Sequence, residues 1–295
     1  MDVFVFGETR VRIGDRVISA RELGGVKPRR LLEFLAVNNG QPVSKSRLVE
    51  VLWPDQAPSG AIATMETYVS LLRRVLEPGT PARASVIRTV SGGYCLDAER
   101  VSVDIVAFHD LAEQARATQA GPCGDLARQA LSLVTGDVLA SEPGMPWAVE
   151  VRDQFSHELT ALLTIAAGCA VEHGEQANAV ALARRALERD PYGEGAARHL
   201  ITALWRMGRR GEALREYDKV RRTLVDELGV EPSTETRDLH LAILLEDEIS
   251  GSSQDSPADE DALVLELVRL VRMMVREHGV DQTRVLVRGL TPKAA

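Results

Sequence analysis

Aromatic residues make up only 4% of the 295-residue chain. Strands favour aromatics, so large barrels and sandwiches are disfavoured. Cysteine is equally sparse: Cys95, Cys123 and Cys169 lie far apart and form no C-x-x-C pair. Cys169 and His173 sit four residues apart, but two ligands do not make a zinc site. Neither a disulfide framework nor a metal centre is expected. Stretches without charge fall well short of a spanning helix. Met1 to Phe6 has no basic flank and no long apolar core, so a secretory signal is not expected either. The expectation is a soluble cytoplasmic protein that contacts no membrane. What is present is ordinary: 45% hydrophobic and 26% charged residues, enough for about two globular domains.

Charge is distributed unevenly. Residues 1–97 carry 13 Lys/Arg against 10 Asp/Glu, net +3, whereas residues 98–295 carry 22 against 33, net −11. Such asymmetry fits a first part that meets an anion and a second part that keeps the chain dissolved. A net +3 over about a hundred residues is also within chance.

The first 97 residues read as short strands, three helices and a hairpin. Val3-Phe4-Val5-Phe6 and Arg10 to Val17 alternate as strands around Gly14-Asp15. Leu31, Leu32, Leu35 and Ala36 give one apolar face to a helix over 28–38, stopped at Gly40. Ser44 is a candidate N-cap for a second helix with Leu48, Val49, Leu52 and Trp53 on its apolar side. A third helix, about Ala61 to Leu76, places Ile62, Met65, Val69, Leu72 and Leu76 in one stripe. Its opposite face carries Ala63, Thr64, Thr67, Ser70, Leu71 and Arg74. Small polar side chains let a helix backbone sit deep in a groove, although a solvated helix looks the same. Val86 to Val90 and Tyr94 to Leu96 form a hairpin across Ser91-Gly92-Gly93. This order describes a winged helix-turn-helix, with the third helix as reader and the hairpin as wing.

Lys27-Pro28-Arg29-Arg30-Leu31-Leu32, Gln41-Pro42-Val43-Ser44 and Leu52-Trp53-Pro54 resemble the DNA-binding domain of the Streptomyces antibiotic regulatory protein family. So do Tyr68 to Leu76 and Arg88-Thr89-Val90-Ser91-Gly92-Gly93-Tyr94. That domain is itself similar to the winged helix of two-component response regulators. One departure is Leu23-Gly24-Gly25-Val26, where a simpler turn is expected.

Candidate DNA contacts follow. Thr64, Thr67 and Ser70 face base edges, and Arg73 and Arg74 near the helix end anchor phosphates. Arg73 also lies nearer the buried stripe, where it could pair with an acidic residue of the helical domain. Tyr68 either packs between helix and wing or offers its hydroxyl to a phosphate. Arg88, Thr89 and Ser91 are the wing candidates, and the last two carry over from family positions. The resemblance further implies that Pro54 to Gly60 faces RNA polymerase, which makes Asp55 and Gln56 candidate contacts. Asp55 could equally cap a turn.

Residues 98–248 read as successive helices. Gly174 and Gly208 are 34 residues apart, as are Ala179 and Ala213, and Ala183 and Tyr217. That is the tetratricopeptide period. Asp190-Pro191 is expected to open a new helix. Asp190-Pro191-Tyr192-Gly193-Glu194, Met207 to Leu214 and Leu224 to Ser233, with its Glu-Leu-Gly-Val-Glu-Pro-Ser string, resemble the bacterial transcriptional activation domain of the same family. The expected architecture is an α+β winged helix-turn-helix (1–97) followed by an all-α tetratricopeptide-like domain (98–248). A flexible linker is expected at 249–262, then an amphipathic helix and tail at 263–295. That helix could meet a membrane surface or a partner, or pack on its own helical domain. No Gly-x-x-x-x-Gly-Lys-Ser/Thr loop occurs, so the ATPase module of larger family members is not expected.

All six histidines lie outside the winged helix and none belongs to a catalytic motif, so no enzyme and no cofactor are expected. The resemblance implies an activator that binds double-stranded DNA at direct repeats near the −35 promoter element. It would bind there as a head-to-tail dimer and recruit RNA polymerase holoenzyme to a secondary-metabolite gene cluster. Its place would be the cytoplasm, on the nucleoid. The alternatives are a tetratricopeptide adaptor or an effector-binding sensor.

Overall fold

The computed structural model describes residues 1–118 and 123–251. The chain forms two compact units, Met1–Pro232 and Ser233 onward. The first unit opens with β1 (Asp2–Phe4), β2 (Arg10–Ile13) and β3 (Arg16–Ser19). Then come α1 (Val26–Val37), β4 (Val43–Ser44), α2 (Lys45–Leu52) and α3 (Ala61–Leu76). The wing hairpin is β5 (Ile87–Val90) and β6 (Gly93–Leu96), followed by β7 (Ser102–Val103). The helical region comprises α4 (Asp104–Ala117), α5 (Cys123–Leu133), α6 (Pro146–Glu172), α7 (Gln176–Arg189), α8 (Glu194–Arg206) and α9 (Arg210–Thr223).

Two small sheets frame the winged helix. The first has the order β3-β2-β1-β7, and the second β4-β6-β5. β7 is two residues long and pairs in parallel with β1, so the edge of β1 that β2 leaves open is covered by chain that lies a hundred residues downstream. Too short to show alternation, β7 was invisible to pattern reading. The core between sheet and helices holds Val3, Val11, Ile18, Leu31, Leu32, Leu35, Leu48 and Leu52. Ser44 caps α2 as expected, its hydroxyl accepting from the Arg47 N–H at 3.2 Å.

The helical region bears out the repeat. Gly174 and Gly208 are both left-handed, at φ 78° and 74°. The N–H that follows each reaches back to a carbonyl, Glu175 to Ala170 at 2.8 Å and Arg209 to Leu204 at 2.9 Å. Both ends are thus the same glycine-closed helix stop. The paired positions Ala179, Ala213, Ala183 and Tyr217 are all buried. The small Ala179, Ala183 and Ala213 side chains let neighbouring helices pack closely, while Tyr217 fills the core at the position that matches Ala183.

Two expectations are corrected here. Asp190-Pro191 does not open a helix. Asp190 accepts from the Tyr192 N–H at 3.1 Å in a turn, and α8 begins at Glu194. Asp side chains offer the backbone this alternative to a helix. Cys123 and Cys169 are joined by a disulfide, against the expectation of none. Their 46-residue separation hid a pairing that the packing of α5 on α6 creates.

The winged helix is welded to the helical region by buried polar groups. Asp104, at the start of α4, accepts from the Val5 N–H at 2.9 Å and the Phe6 N–H at 3.1 Å. Segment 134–142, between α5 and α6, docks beside the same strand: Gly7 N–H donates to Asp137, and Leu139 N–H to Val5, both at 2.9 Å. Leu139 is fully buried with φ 52°, a conformation that costs a non-glycine residue about 1–2 kcal/mol. The backbone bond to Val5 and the Arg152 guanidinium on the Leu139 and Glu142 carbonyls hold it there. Glu142 ends the segment, bridging Arg29 at 3.0 Å and Arg30 at 2.8 Å. Glu33 lies beside them, accepting from Thr9 at 2.5 Å and Ser141 at 2.6 Å.

Burial pushes the Glu33 and Asp104 carboxyls above their ordinary values. A carboxyl with a raised folded pKa favours folding at low pH, and that contribution is lost as pH climbs through the raised value.

The second unit contains α10 (Thr234–Gly251). The Ser233 and Thr236 hydroxyls bond to one another at its start, 3.0 Å apart. The helix reaches Gly251, so the linker expected from 249 starts no earlier than 252. The rest of that linker and the amphipathic helix expected at 263–295 lie outside the described residues.

Candidate nucleic-acid interface

α3 is fixed by its inner stripe, Met65, Val69, Leu72 and Leu76, all at most 2% exposed. Ile62 was expected in that stripe but is 52% exposed. It lies at the margin of that stripe, about 60° round the helix from Met65, and in the same first turn Ala61 takes the buried position. Leu71 is also displaced from the outer face, because it packs over Gly24: a Cβ added there would meet Leu71 Cδ2 at 2.4 Å. Gly24 has φ +92° as well, so both space and backbone demand glycine. This accounts for the unexpected Gly24-Gly25 turn.

Thr67, Ser70 and Arg74 lie exposed on the outer face, with Thr64 half-buried. The Thr67 hydroxyl donates to the Ala63 carbonyl and that of Ser70 to the Glu66 carbonyl, both at 3.0 Å. With the protons used inward, the oxygens present lone pairs outward. They suit the amino groups of adenine or cytosine, and the Thr67 methyl suits that of thymine. Arg74 makes no hydrogen bond or ion pair among the described residues.

Arg73 is placed differently from Arg74. Its Nε and Nη2 donate to the Ile87 carbonyl at 3.1 and 2.6 Å, and Nη2 also to Thr89 Oγ1 at 2.8 Å. Its guanidinium lies 5.7 Å from the Tyr94 ring centre. Arg73 is therefore a strut from the reading helix to the wing, bound to a β5 carbonyl rather than to an acidic residue. A second strut is Glu77, which accepts from the Val86 N–H at 2.7 Å and from Arg100 at 2.7 Å.

Tyr68 is half-buried and packs toward α2. Its ring stacks on Trp53 at 6.2 Å and 25°, which sets the elbow between α2 and α3. Lys27 covers the other side of this elbow, 4.5 Å from the Trp53 ring centre, and donates to the Leu52 carbonyl at 2.8 Å. A cation there also complements the helix end. Burial holds the Lys27 pKa below its ordinary value.

In the wing, Arg88, Thr89 and Ser91 are exposed. Thr89 accepts from Arg73, so its own proton remains to donate outward. Gly92, φ 74°, turns the hairpin. Gly93 belongs to β6, not to the turn, and pairs with Ser44. Lys45 links the wing to the reading helix through two bonds: its N–H donates to the Gly92 carbonyl at 3.0 Å and its Nζ to Glu66 at 2.6 Å. Glu66 raises the Lys45 pKa. Lys45, Glu66 and the arginines of α1 were given no role by sequence reasoning, because charged pairs distant in sequence leave no periodic trace.

Asp55 and Gln56 lie in the loop from Pro54 to Gly60, all exposed. Asp55 caps no turn: its carboxylate makes no bond among the described residues. Among those residues no group of His, Cys, Asp and Glu could hold a metal, and no helix is long and apolar enough to cross a membrane.

Arg74→Ala is expected to weaken DNA binding alike for all sequences and to flatten the salt dependence by about one ion. Affinity titrations at several salt concentrations check this. A change of sequence preference at constant salt slope would remove the phosphate role.

Residues 24–96 match the family described as transcriptional regulatory protein, C terminal, and residues 103–244 match the bacterial transcriptional activator domain. Regulatory protein DnrI of Streptomyces peucetius is 35% identical over 232 residues, 75% of this chain and 85% of DnrI. Regulatory protein AfsR of Streptomyces griseus is 33% identical over 260 residues, 86% of this chain. The chain spans about a quarter of the length of AfsR, 26%. Among solved structures, Mycobacterium tuberculosis EmbR in complex with a low affinity phosphopeptide is similar at TM-score 0.72 and 24% identity. That likeness covers 94% of this chain and 71% of the other. At that identity it speaks for the fold alone.

Proposed function

Because the chain belongs to the Streptomyces antibiotic regulatory protein family of transcriptional activators, we propose that it binds promoter DNA through α3 and the wing. The proposed operator is a direct repeat near the −35 element. The proposed occupant is a head-to-tail pair of chains that recruits RNA polymerase holoenzyme to a secondary-metabolite gene cluster. The setting would be the cytoplasmic nucleoid.

One observation carries this reading. The outer face of α3 keeps small acceptors and the unpaired Arg74, while the inward cation Arg73 braces the wing beside it. A helix serving only solubility would not need its neighbouring hairpin held in register. Phosphate contacts fall to Arg74, Arg88, Thr89 and Ser91, and base contacts to Thr64, Thr67 and Ser70. Arg73 and Tyr68 position these groups. Footprinting on promoters beside its own gene tests the proposal. Two protected half-sites in the same orientation are expected, with affinity that falls steeply as salt rises. Binding indifferent to salt would favour a protein-interaction adaptor instead.

For activation, the exposed and unbonded Asp55 supports contact between the Pro54 to Gly60 loop and a basic polymerase surface. Replacing Asp55 and Gln56 together with alanine is expected to leave operator affinity intact and to lower transcription from the target promoter in vitro. Equal loss of both, or of neither, would take the loop out of the mechanism.

A further inference from the structure

Cys123, the first residue of α5, is bonded to Cys169 near the end of α6. We propose that this bond is a reversible thiol–disulfide site, responsive to a low-molecular-weight thiol and its disulfide, that tethers the segment bracing the winged helix.

Access comes first. Cys169 lines a solvent-open cleft of about 490 Å³ between α5, α6 and α7, together with Arg128, His173 and Arg185. The two cysteines are only 3% and 6% exposed, so a small thiol reaches the bond through this cleft and a bulky one does not. Cys95, the third cysteine, is buried in the wing sheet and bonded to neither.

Position is the second observation. The fully buried residues of α5 are Cys123, Ala127 and Ala130. Side chains this small remove little apolar area from water, and Leu126, Leu131 and Leu133 are only half-buried, so packing holds α5 less firmly than large buried side chains would. The covalent bond ties its first residue to α6. α5 runs directly into the bracing segment. There Thr135, Asp137 and Leu139 bond to Phe6, Gly7 and Val5, and Glu142 binds Arg29 and Arg30. Releasing α5 therefore loosens the chain that leads to the Glu142 latch.

The chemistry balances within one redox couple. A small thiolate attacks the Cys169 sulfur, the S–S bond breaks, and Cys123 leaves as a thiolate that takes up a proton. A second small thiolate attacks the outer sulfur of the mixed disulfide. It forms the small disulfide and frees the Cys169 thiolate. Two thiols have lost one electron each and the protein disulfide has gained both. The reverse reaction consumes the small disulfide.

The test uses the full chain equilibrated with mixtures of reduced and oxidised glutathione. Oxidation is expected to lower the intact mass by about 2 Da, one hydrogen lost from each thiol, and to yield a peptide linking Cys123 to Cys169. The reduced form is expected to melt at least roughly 5 °C lower and to exchange amide hydrogens faster over residues 134–142. The Cys123→Ser, Cys169→Ser double variant should match the reduced form at every glutathione ratio. The wild-type titration decides the matter even if that variant does not fold. No mass change across the series, or a mass change that leaves both melting and exchange untouched, overturns the proposal. Weaker operator binding by the reduced form is also expected, and this rests on the DNA-binding reading above. If neither form binds DNA, that reading fails alone, because mass and exchange still decide the thiol site.

Discussion

Glu142→Ala is expected to lower the unfolding free energy by about 3–5 kcal/mol, the typical cost of removing one partner from a buried ion pair. Glu142 is 2% exposed and binds Arg29 and Arg30, whose side chains are 16% and 12% exposed. Without it two guanidinium groups lose their main anion in a site that water reaches poorly. Arg29 keeps Glu33 at 3.3 Å, and among the described residues Arg30 keeps only a 3.5 Å approach to the Leu52 carbonyl. Urea unfolding at constant m-value gives the number. A loss under about 1 kcal/mol would mean that the latch is solvated and does not join the winged helix to the helical region.

The second large effect is expected at Gly93. A Cβ there would lie 1.9 Å from the Val43 carbonyl oxygen and 2.7 Å from its carbon. Both atoms are backbone, so no rotamer relieves the clash and β4 must part from β6. With that sheet go Tyr94, which Arg73 faces, and the Lys45 bond to Gly92. Gly93→Val is expected to reduce operator affinity at least tenfold, about 1.4 kcal/mol, with helical content unchanged by circular dichroism. Gly92→Val meets open space and carries only the strain of φ +74°, so its effect should be smaller. The double variant should behave as Gly93→Val alone. Anisotropy titrations with operator DNA measure all three. Full retention of affinity in the double variant would mean that the wing is not used.

The winged helix was legible because its elements are local. The third helix repeats its apolar stripe four times within sixteen residues, and Ser44 announces α2 by chemistry that needs only three residues. The helical repeat was legible for a related reason: each glycine stop closes its own helix, so Gly174 and Gly208 carry the signal themselves. Errors fell where a residue's partner was elsewhere. Ile62 sits at the margin of the stripe while Ala61 beside it is buried, and Asp190-Pro191 has the residues of a helix start but spends its carboxylate on a turn. Arg73 and Arg74 are neighbours of one type, yet a 100° rotation sends one to the wing and leaves the other outward.

By itself the sequence determined the order of the main elements of the winged helix, the family and most of the face of α3 turned away from the core. Periodicity, turn chemistry and motif spacing are properties of contiguous residues, and these read directly. Only the tertiary structure decided that β7 completes the first sheet, that Asp104, Leu139 and Glu142 weld the winged helix to the helical region, and that Cys123 meets Cys169. Those joins link residues from 46 to more than 130 positions apart. A buried charge or a strained backbone is tolerated only where distant groups surround it, and no local pattern of the chain records which groups those will be.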